Sequence, residues 1–281
     1  MATTKVRYNQ IKTGLPAGGD VDYNNVELLL AGEGSNGSTS FLDDSKNDAS
    51  IGVNGTVSIT TSVGKWGSSS INFQSGNSAL TFAKNSAVTI GTEDFTLEAW
   101  VRPTSFTEGA GAYLMPIMGL GAWSSNNSRI NYLFWYDHGT STLALASKPG
   151  DGYGAGSWMA HGATTTLSLN TWTHLACSRY NGTTYLFKDG SLLGTSSLFN
   201  NYNFSNFAPT GNAFFVGKKS GGGSYDQVLW PYRGYMNDIR ITKGVARYTS
   251  DFSNPSSKFD AFRGNVGKSL VIGSEENVTL Q

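Results

Sequence analysis

Three sets of residues have the types and spacing to do chemistry. The first is the run FLDDSKND, which places Asp43, Asp44, Asn47 and Asp48 on one turn. Calcium takes about six to eight oxygen ligands, carboxylates among them, converging from different segments of chain. The same carboxylates can instead bond to nearby backbone N–H groups in an ordinary turn. From the residues alone both readings stand. The second set is aromatic. Trp123, Tyr136, Tyr153 and Trp158 lie among Gly, Ser, Asn and Asp in the middle of the chain, and Tyr225, Trp230 and Tyr232 precede the closing strand. Flat aromatic rings beside polar side chains suit sugars, which present apolar faces and hydroxyl edges. The same mixture makes protein interfaces, and Trp123 and Trp158 could instead cap the sandwich. The third set is GYMNDIRITKGVARYTSDF, residues 234–252, which opens as a strand and carries an acid, Asp238, in mid-run. Simple alternation puts Met236, Asp238 and Arg240 on one side, and Asn237, Ile239 and Ile241 on the other.

Catalytic patterns are missing. A glycosidase needs two carboxyls flanking one bond, and Glu98 in FTLEAW is a single acid on a strand. Neither G-x-S-x-G nor a paired Cys–His arrangement occurs. GEGSNG, residues 32–37, matches G-x-G-x-x-G after an apolar run. The turn formers that follow supply no helix for a pyrophosphate, so it reads as a loop. His174 in TWTHLA reads as a core residue, and His138 and His161 fall in expected loops with no metal-ligand spacing. Cys177 lies in the apolar-patterned THLACSRY and reads as a buried thiol.

The elements that must position these residues are strands. Short apolar or alternating runs recur near 26–31, 55–62, 69–73, 79–83, 95–103, 114–120, 129–136, 142–148, 171–180, 183–189, 191–197, 214–219 and 234–242. Asn181–Gly182 and Asp189–Gly190 are tight-turn dipeptides, and they make residues 171–197 a three-stranded meander. About a dozen strands with turn signals between them predict an all-β, two-sheet antiparallel jelly-roll sandwich. No segment keeps a 3.6-residue apolar period for three turns. The end of the closing phrase predicts a fastening: Val245 and Tyr248 pack against the sheet edge, and Arg247 pairs with an acid.

Composition agrees. Among 281 residues there are 35 glycines, 12% aromatics and only 14% charged residues, which favours β-structure and turns. Twenty basic and twenty acidic side chains give no net pull toward nucleic acid or an anionic membrane. A single cysteine excludes an internal disulfide framework. The first residues, MATTKVRYNQIKTG, lack the apolar region of a secretory signal, so the Asn-x-Ser/Thr matches read as turns. Residues 1–24 and 261–281 differ in character from the rest and read as docking arms, with residues 25–260 as the domain between them.

Four blocks carry a family resemblance: VELLLAGEGSNGSTSFLDDSKNDASI, GKWGSSSINFQSGNSALTFAKNSAVTIGTEDFTLEAWVRPTSF, LSLNTWTHLACSRYNGTTYLFKDGSLLGTSS and GYMNDIRITKGVARYTSDFSNP. In this order, across residues 25–256, they resemble the laminin-G-like branch of the concanavalin A-like lectin/glucanase superfamily. The resemblance implies a jelly roll with ligands bound by rim loops or on a concave face, and often a structural Ca²⁺. It places Asp238 where family members carry a second calcium-binding acid, beside Asp43, Asp44 and Asn47. Lys46 replaces the glycine usual in the acidic turn and puts a cation beside any metal. The E-x-D-x-(x)-E phrase of the superfamily's glucanases is absent.

The DIRITKGVARYT phrase is similar to domains of bacteriophage tail-fibre and other virion-surface proteins. That resemblance implies a non-catalytic virion surface protein, either a tail-fibre or tail-associated adhesin or a capsid decoration protein. It would be assembled in the host cytoplasm and would recognise a host-surface glycan. Its partners would be other virion proteins, reached through the arms, and further copies of itself, a trimer among the options, with no nucleic acid or membrane insertion. A purely structural virion scaffold is the alternative, and a glycoside-acting enzyme stands behind both.

Overall fold

The computed structural model describes residues 19–73, 78–82, 86–106, 114–122, 129–148, 158–205, 213–218 and 231–259. They form fifteen strands: β1 Val26–Leu30, β2 Ile51–Asn54, β3 Val57–Thr60, β4 Ser70–Phe73, β5 Ala79–Phe82, β6 Phe95–Pro103, β7 Leu114–Ala122, β8 Arg129–Asp137, β9 Thr142–Lys148, β10 Met159–Thr164, β11 Thr173–Tyr180, β12 Thr183–Lys188, β13 Ser191–Ser196, β14 Ala213–Val216 and β15 Gly234–Lys243. A 3-10 turn, Tyr23–Asn25, leads into β1. The first sheet runs β13-β12-β11-β6-β15-β4-β3, with β1 also on β15, and the second runs β10-β9-β8-β7-β14-β5-β2. Every strand pair is antiparallel, so the expected two-sheet sandwich is what the chain forms.

Alternation sorts the side chains. Leu97, Ala99 and Val101 of β6 and Leu175 and Cys177 of β11 face Tyr132, Phe134 and Tyr136 of β8 and Leu143 and Leu145 of β9 across one continuous core. Each fully buried large apolar side chain contributes about 1.5–3 kcal/mol. Burial pushes the Cys177 thiol up, well above its ordinary range. The meander β11-β12-β13 forms as its turn dipeptides require: Asn181 and Gly182 have φ of 46° and 80°, and Asp189 and Gly190 have 50° and 83°.

The closing strand departs from simple alternation. Asn237 pairs with Trp100 while Arg240 pairs with Glu98, so Asp238 and Ile239 together face a single residue of β6. This is a β-bulge, and Asp238 carries its left-handed backbone at φ 48°. The extra residue resets the pleat. Met236, Ile239 and Ile241 therefore share the core, and Met236 does not side with Asp238 and Arg240. The bulge is also where β15 changes partner, from β4 at Gly234–Met236 to β1 at Ile239–Thr242. Asn237 staples that junction: its amide donates to Ala31 O at 2.7 Å and Ser69 O at 3.0 Å, and its oxygen accepts from the Lys65 amide at 3.2 Å.

After β15 the chain crosses the outer face of the first sheet as a strap, residues 245–259. Tyr248 and Phe252 stack at 3.6 Å and lie edge-on to Phe187. The fastening expected at the sheet edge thus lies across the sheet face. Its acid is Asp20, 3.0 and 2.8 Å from the Arg247 guanidinium.

Candidate functional site

Two of the seven aromatics expected at a binding site are core residues. Tyr136 is 1% exposed, and its hydroxyl accepts from the Leu167 amide at 3.2 Å. Tyr232 is fully buried. Its hydroxyl donates to Tyr235 O at 2.8 Å and accepts from the Arg102 amide at 3.0 Å, and its ring meets Phe73 edge-on. Neither can touch a ligand: strand parity turns the Tyr136 ring into the sandwich, and Tyr232, just ahead of β15, is held inside by its two hydrogen bonds. Trp123, Tyr153, Tyr225 and Trp230 lie outside the described residues.

Trp158 fares differently. It is half-buried and stacks on Trp135, with ring centroids 5.4 Å apart and an interplanar angle of 30°. Trp135 sits between core-facing Phe134 and Tyr136, so the same parity that buries those two turns it to the outer face of the second sheet. In-register neighbours share a face. Beside Trp135 this rule places Ala144 and Gly162, and beside Leu133 it places Ala146, Ala160 and Gly119. A Cβ on Gly162 would come within 2.7 Å of Thr142 Cγ2, so only glycine fits there without a shift. Of this set Ala160 and Gly162 of β10 are exposed, while Gly119, Leu133, Ala144 and Ala146 are buried, so the stacked indole pair borders an exposed edge of small residues, with Asp137 and Thr142 paired at its end. Alternation in INYLFWYD carried the signal for Trp135; its neighbours Phe134 and Tyr136 obscured it.

The outer face of the first sheet holds the strongest charges. Glu98 is fully buried, with Arg240 Nε at 2.9 Å and Nη2 at 2.8 Å from Oε1. His174 Nε2 lies 3.1 Å from Oε2, and the Tyr248 hydroxyl donates to the same oxygen at 2.9 Å. Burial alone would raise this carboxyl, but Arg240, then His174 and Arg247, hold it well below the usual carboxylate range. Asp20 extends the network with an oxygen 3.0 Å from Arg240 Nη1. Every charge is spoken for and the strap covers the cluster, so the cluster binds the flanks of the domain to its sheet. The histidines do not converge: His138 stacks on Phe106 at 4.2 Å, and His161 Nδ1 pairs with Thr184 Oγ1 at 2.8 Å.

A family model described as the concanavalin A-like lectin/glucanases superfamily, Laminin_G_3, matches residues 73–246. The chain belongs to this superfamily. Among solved structures, domain 4 of AbnA, a GH43 extracellular arabinanase from Geobacillus stearothermophilus seen with arabinotriose, superposes with a TM-score of 0.51 at 17% identity. The match covers 79% of this chain and 94% of that one. The binding domain of botulinum neurotoxin serotype G superposes with a TM-score of 0.52 at 13% identity over 82% of this chain. The match spans 49% of that neurotoxin domain. At these identities the likeness is one of fold. Curated protein sequences give no match.

The superfamily's structural calcium can now be tested against the residues present. Asp43 is 1% exposed and fully engaged: Oδ1 accepts from the Leu29 and Ser45 amides at 3.1 and 3.0 Å, and Oδ2 from the Ala49 amide at 3.0 Å and the Ser45 hydroxyl at 2.9 Å. Asn47 donates to Glu27 O and Oε2, both at 2.8 Å, and Lys46 lies 2.7 Å from Glu27 Oε1. Asp238 accepts from the Trp66 indole at 2.6 Å. Burial raises its carboxyl to about 7, against the opposing pull of Trp66, the Phe259 amide and Arg240. Among the described residues no three His, Cys, Asp or Glu side chains converge as a metal would need. The set does not fit calcium. The turn reading of Asp43 replaces the calcium expectation for Asp43, Asp44, Asn47 and Asp238.

Proposed function

We propose that this chain is a non-catalytic, lectin-like module that presents the outer face of its second sheet to a host-surface glycan. The observation that carries the reading is the stacked Trp135–Trp158 pair beside the exposed Ala160 and Gly162 of β10. Indole faces take the apolar face of a pyranose or furanose ring, and Ala160 and Gly162 beside the pair are exposed and carry little or no side chain. The lectin-like fold supports this reading. So does the state of the acids on the first sheet: Glu98 is buried, ionised and covered by the strap, which leaves it unable to protonate a leaving group.

The flanking segments serve attachment. Arg240 holds Asp20 at 3.0 Å and carries the Phe259 ring 3.7 Å from its guanidinium. The chain therefore enters and leaves the domain at one place on the outer face of the first sheet, across the sandwich from Trp135. A module fixed by both flanks at that place displays its indole pair outward. With the virion-like DIRITKGVARYT phrase, this supports a surface protein of a bacteriophage particle, on a tail fibre or on the capsid, assembled with copies of itself.

Binding of the intact chain to a glycan array is the test, repeated with Trp135→Ala and Trp158→Ala. Selective glycan binding lost in both variants, with melting temperatures kept, is the expected result. An array on which the wild type binds nothing, or binding unchanged in both variants, would sink the glycan reading and leave the scaffold role.

A further inference from the structure

His161, expected in a loop, stands on β10, the edge strand of the second sheet. It is 6% exposed and turns inward with Ala163, opposite Leu145 and Leu143 of β9, while Ala160 and Gly162 on either side of it are exposed. Its ring crosses the seam between the sheets. Nδ1 lies 2.8 Å from Thr184 Oγ1 of β12, and that hydroxyl donates in turn to Ser196 O of β13 at 3.2 Å. The hydroxyl oxygen therefore accepts from the imidazole, which fixes the neutral ring's proton on Nδ1 and leaves Nε2 to take a second one. A Cβ on Gly194 of β13 would lie 3.9 Å from Nε2, so that glycine brings the β13 backbone up to the ring.

The strands packed against β10 bring no acid to His161. β9 carries Lys148, three residues past Leu145 and so on the other face; β13 carries no titratable side chain. β12 carries Tyr185 on the other face and Lys188, about 13 Å along the strand from Thr184. Tyr202, from the loop after β13, is held through its hydroxyl by Ser147 Oγ at 2.7 Å. In register with Thr184 is Arg179 of β11, itself a buried cation. Burial with no compensating acid lowers the imidazole below its ordinary value of 6.5.

We propose that His161 is an acid-operated latch: a proton on Nε2 puts an uncompensated charge in the seam, and β10 relieves it by parting from β12 and β13. The strand is suited to local opening because it is paired along one side, to β9, and lies at the end of its sheet. Trp158 directly precedes β10, and Ala160 and Gly162 flank the latch, so opening displaces one side of the indole pair's surroundings. The functional consequence rests on the glycan reading: a ligand held at neutral pH is let go in acid. Closure is complete above pH 6.5 and weakens as the pH falls from there to the lowered folded value. Over that interval the opening equilibrium rises by up to about tenfold per pH unit.

Hydrogen exchange of the full chain between pH 8 and pH 5, corrected for intrinsic rates, tests the latch without any ligand. Protection of the amides in β10 should fall in acid while that in β8 and β11 holds. His161→Gln is neutral at every pH and should keep β10 protection flat, and Thr184→Val should lower it even at pH 8. Single amides are the readout because Asp238 moves global stability with pH in the opposite sense. Wild-type protection of β10 that is flat with pH, or that falls alike in His161→Gln, overturns the proposal. So does an NMR titration of the wild-type rings that places His161 at or above 6.5. The glycan array probed at pH 8 and pH 5 separates the latch from the reading it rests on. Binding lost at pH 5 in the wild type and kept in His161→Gln supports release, and binding equal at both pH values overturns it. An array silent at both sinks the glycan reading, and exchange at β10 still decides the latch.

Discussion

The indole N–H of Trp66 donates to Oδ2 of Asp238 at 2.6 Å, joining residues 172 positions apart. Trp66 also meets Trp100 edge-on at 5.6 Å, and Lys65 sits 3.9 Å above the Trp100 ring. An acid in the middle of a closing strand thus has a structural use. Asp238 holds the left-handed residue of the bulge, and the bulge lets β15 leave β4 and take up β1. The short polar side chain of Asp tolerates that backbone better than a β-branched residue would.

Asp238 should make stability depend on pH in an unusual direction. Its folded value is raised to about 7 from 3.8, so the folded protein binds a proton that the unfolded chain has released. The stabilisation is complete below about pH 4 and is lost as the pH climbs through 7, by up to about 1.4 kcal/mol per pH unit. Asp238→Asn keeps the size of the neutral acid and should remove that slope. Urea midpoints measured from pH 4 to 8 on both proteins check it, and identical slopes would refute the assignment.

Glu98 should behave in the opposite sense. Arg240 and His174 hold its carboxyl low, so its contribution is present above the ordinary carboxylate range and fades only in strong acid. Glu98→Gln leaves the Arg240 guanidinium buried with Asp20 as its remaining close acid, at an expected cost of about 3–5 kcal/mol. The double variant Glu98→Gln/Arg240→Met should be less destabilised than the sum of the two single changes, since the pair acts as a unit. A urea-unfolding double-mutant cycle measures this, and strict additivity would mean that the two residues are not coupled.

How far the sequence could be read follows from the range of the interactions. The meander β11-β12-β13 was legible because Asn181–Gly182 and Asp189–Gly190 are local signals with one good conformation each. Strands β2 and β10 were not, since IGVN is short with exposed alternate positions and MAHGAT is weakly apolar and rich in small residues. The inward turn of Tyr136 and Tyr232 was missed because Tyr136 ends its expected strand before Asp137 and His138, and Tyr232 precedes one beside Arg233, so both read as rim aromatics. Glu98, His174 and Asp20 looked like unrelated residues. Their meeting is set by sheet register and by a strap that crosses the sheet, and neither leaves a mark in local sequence.

The strap itself should depend on Gly190. This residue has φ 83°, and a Cβ there would collide with the carbonyl oxygen of Phe252. The turn also grips the strap through two hydrogen bonds: the Phe252 amide donates to Gly190 O at 2.9 Å, and the Leu192 amide to Asp251 Oδ1 at 2.7 Å. Gly190→Ala therefore adds left-handed strain and pushes Phe252 off the sheet, where it stacks on Tyr248 above the buried Glu98. The expected cost is about 1–3 kcal/mol. Its local signature is faster hydrogen exchange at the amides of Leu192 and Phe252, while amides in β8 and β9 stay protected. Uniform acceleration across both sheets would instead mean that the strap unfolds only with the whole domain.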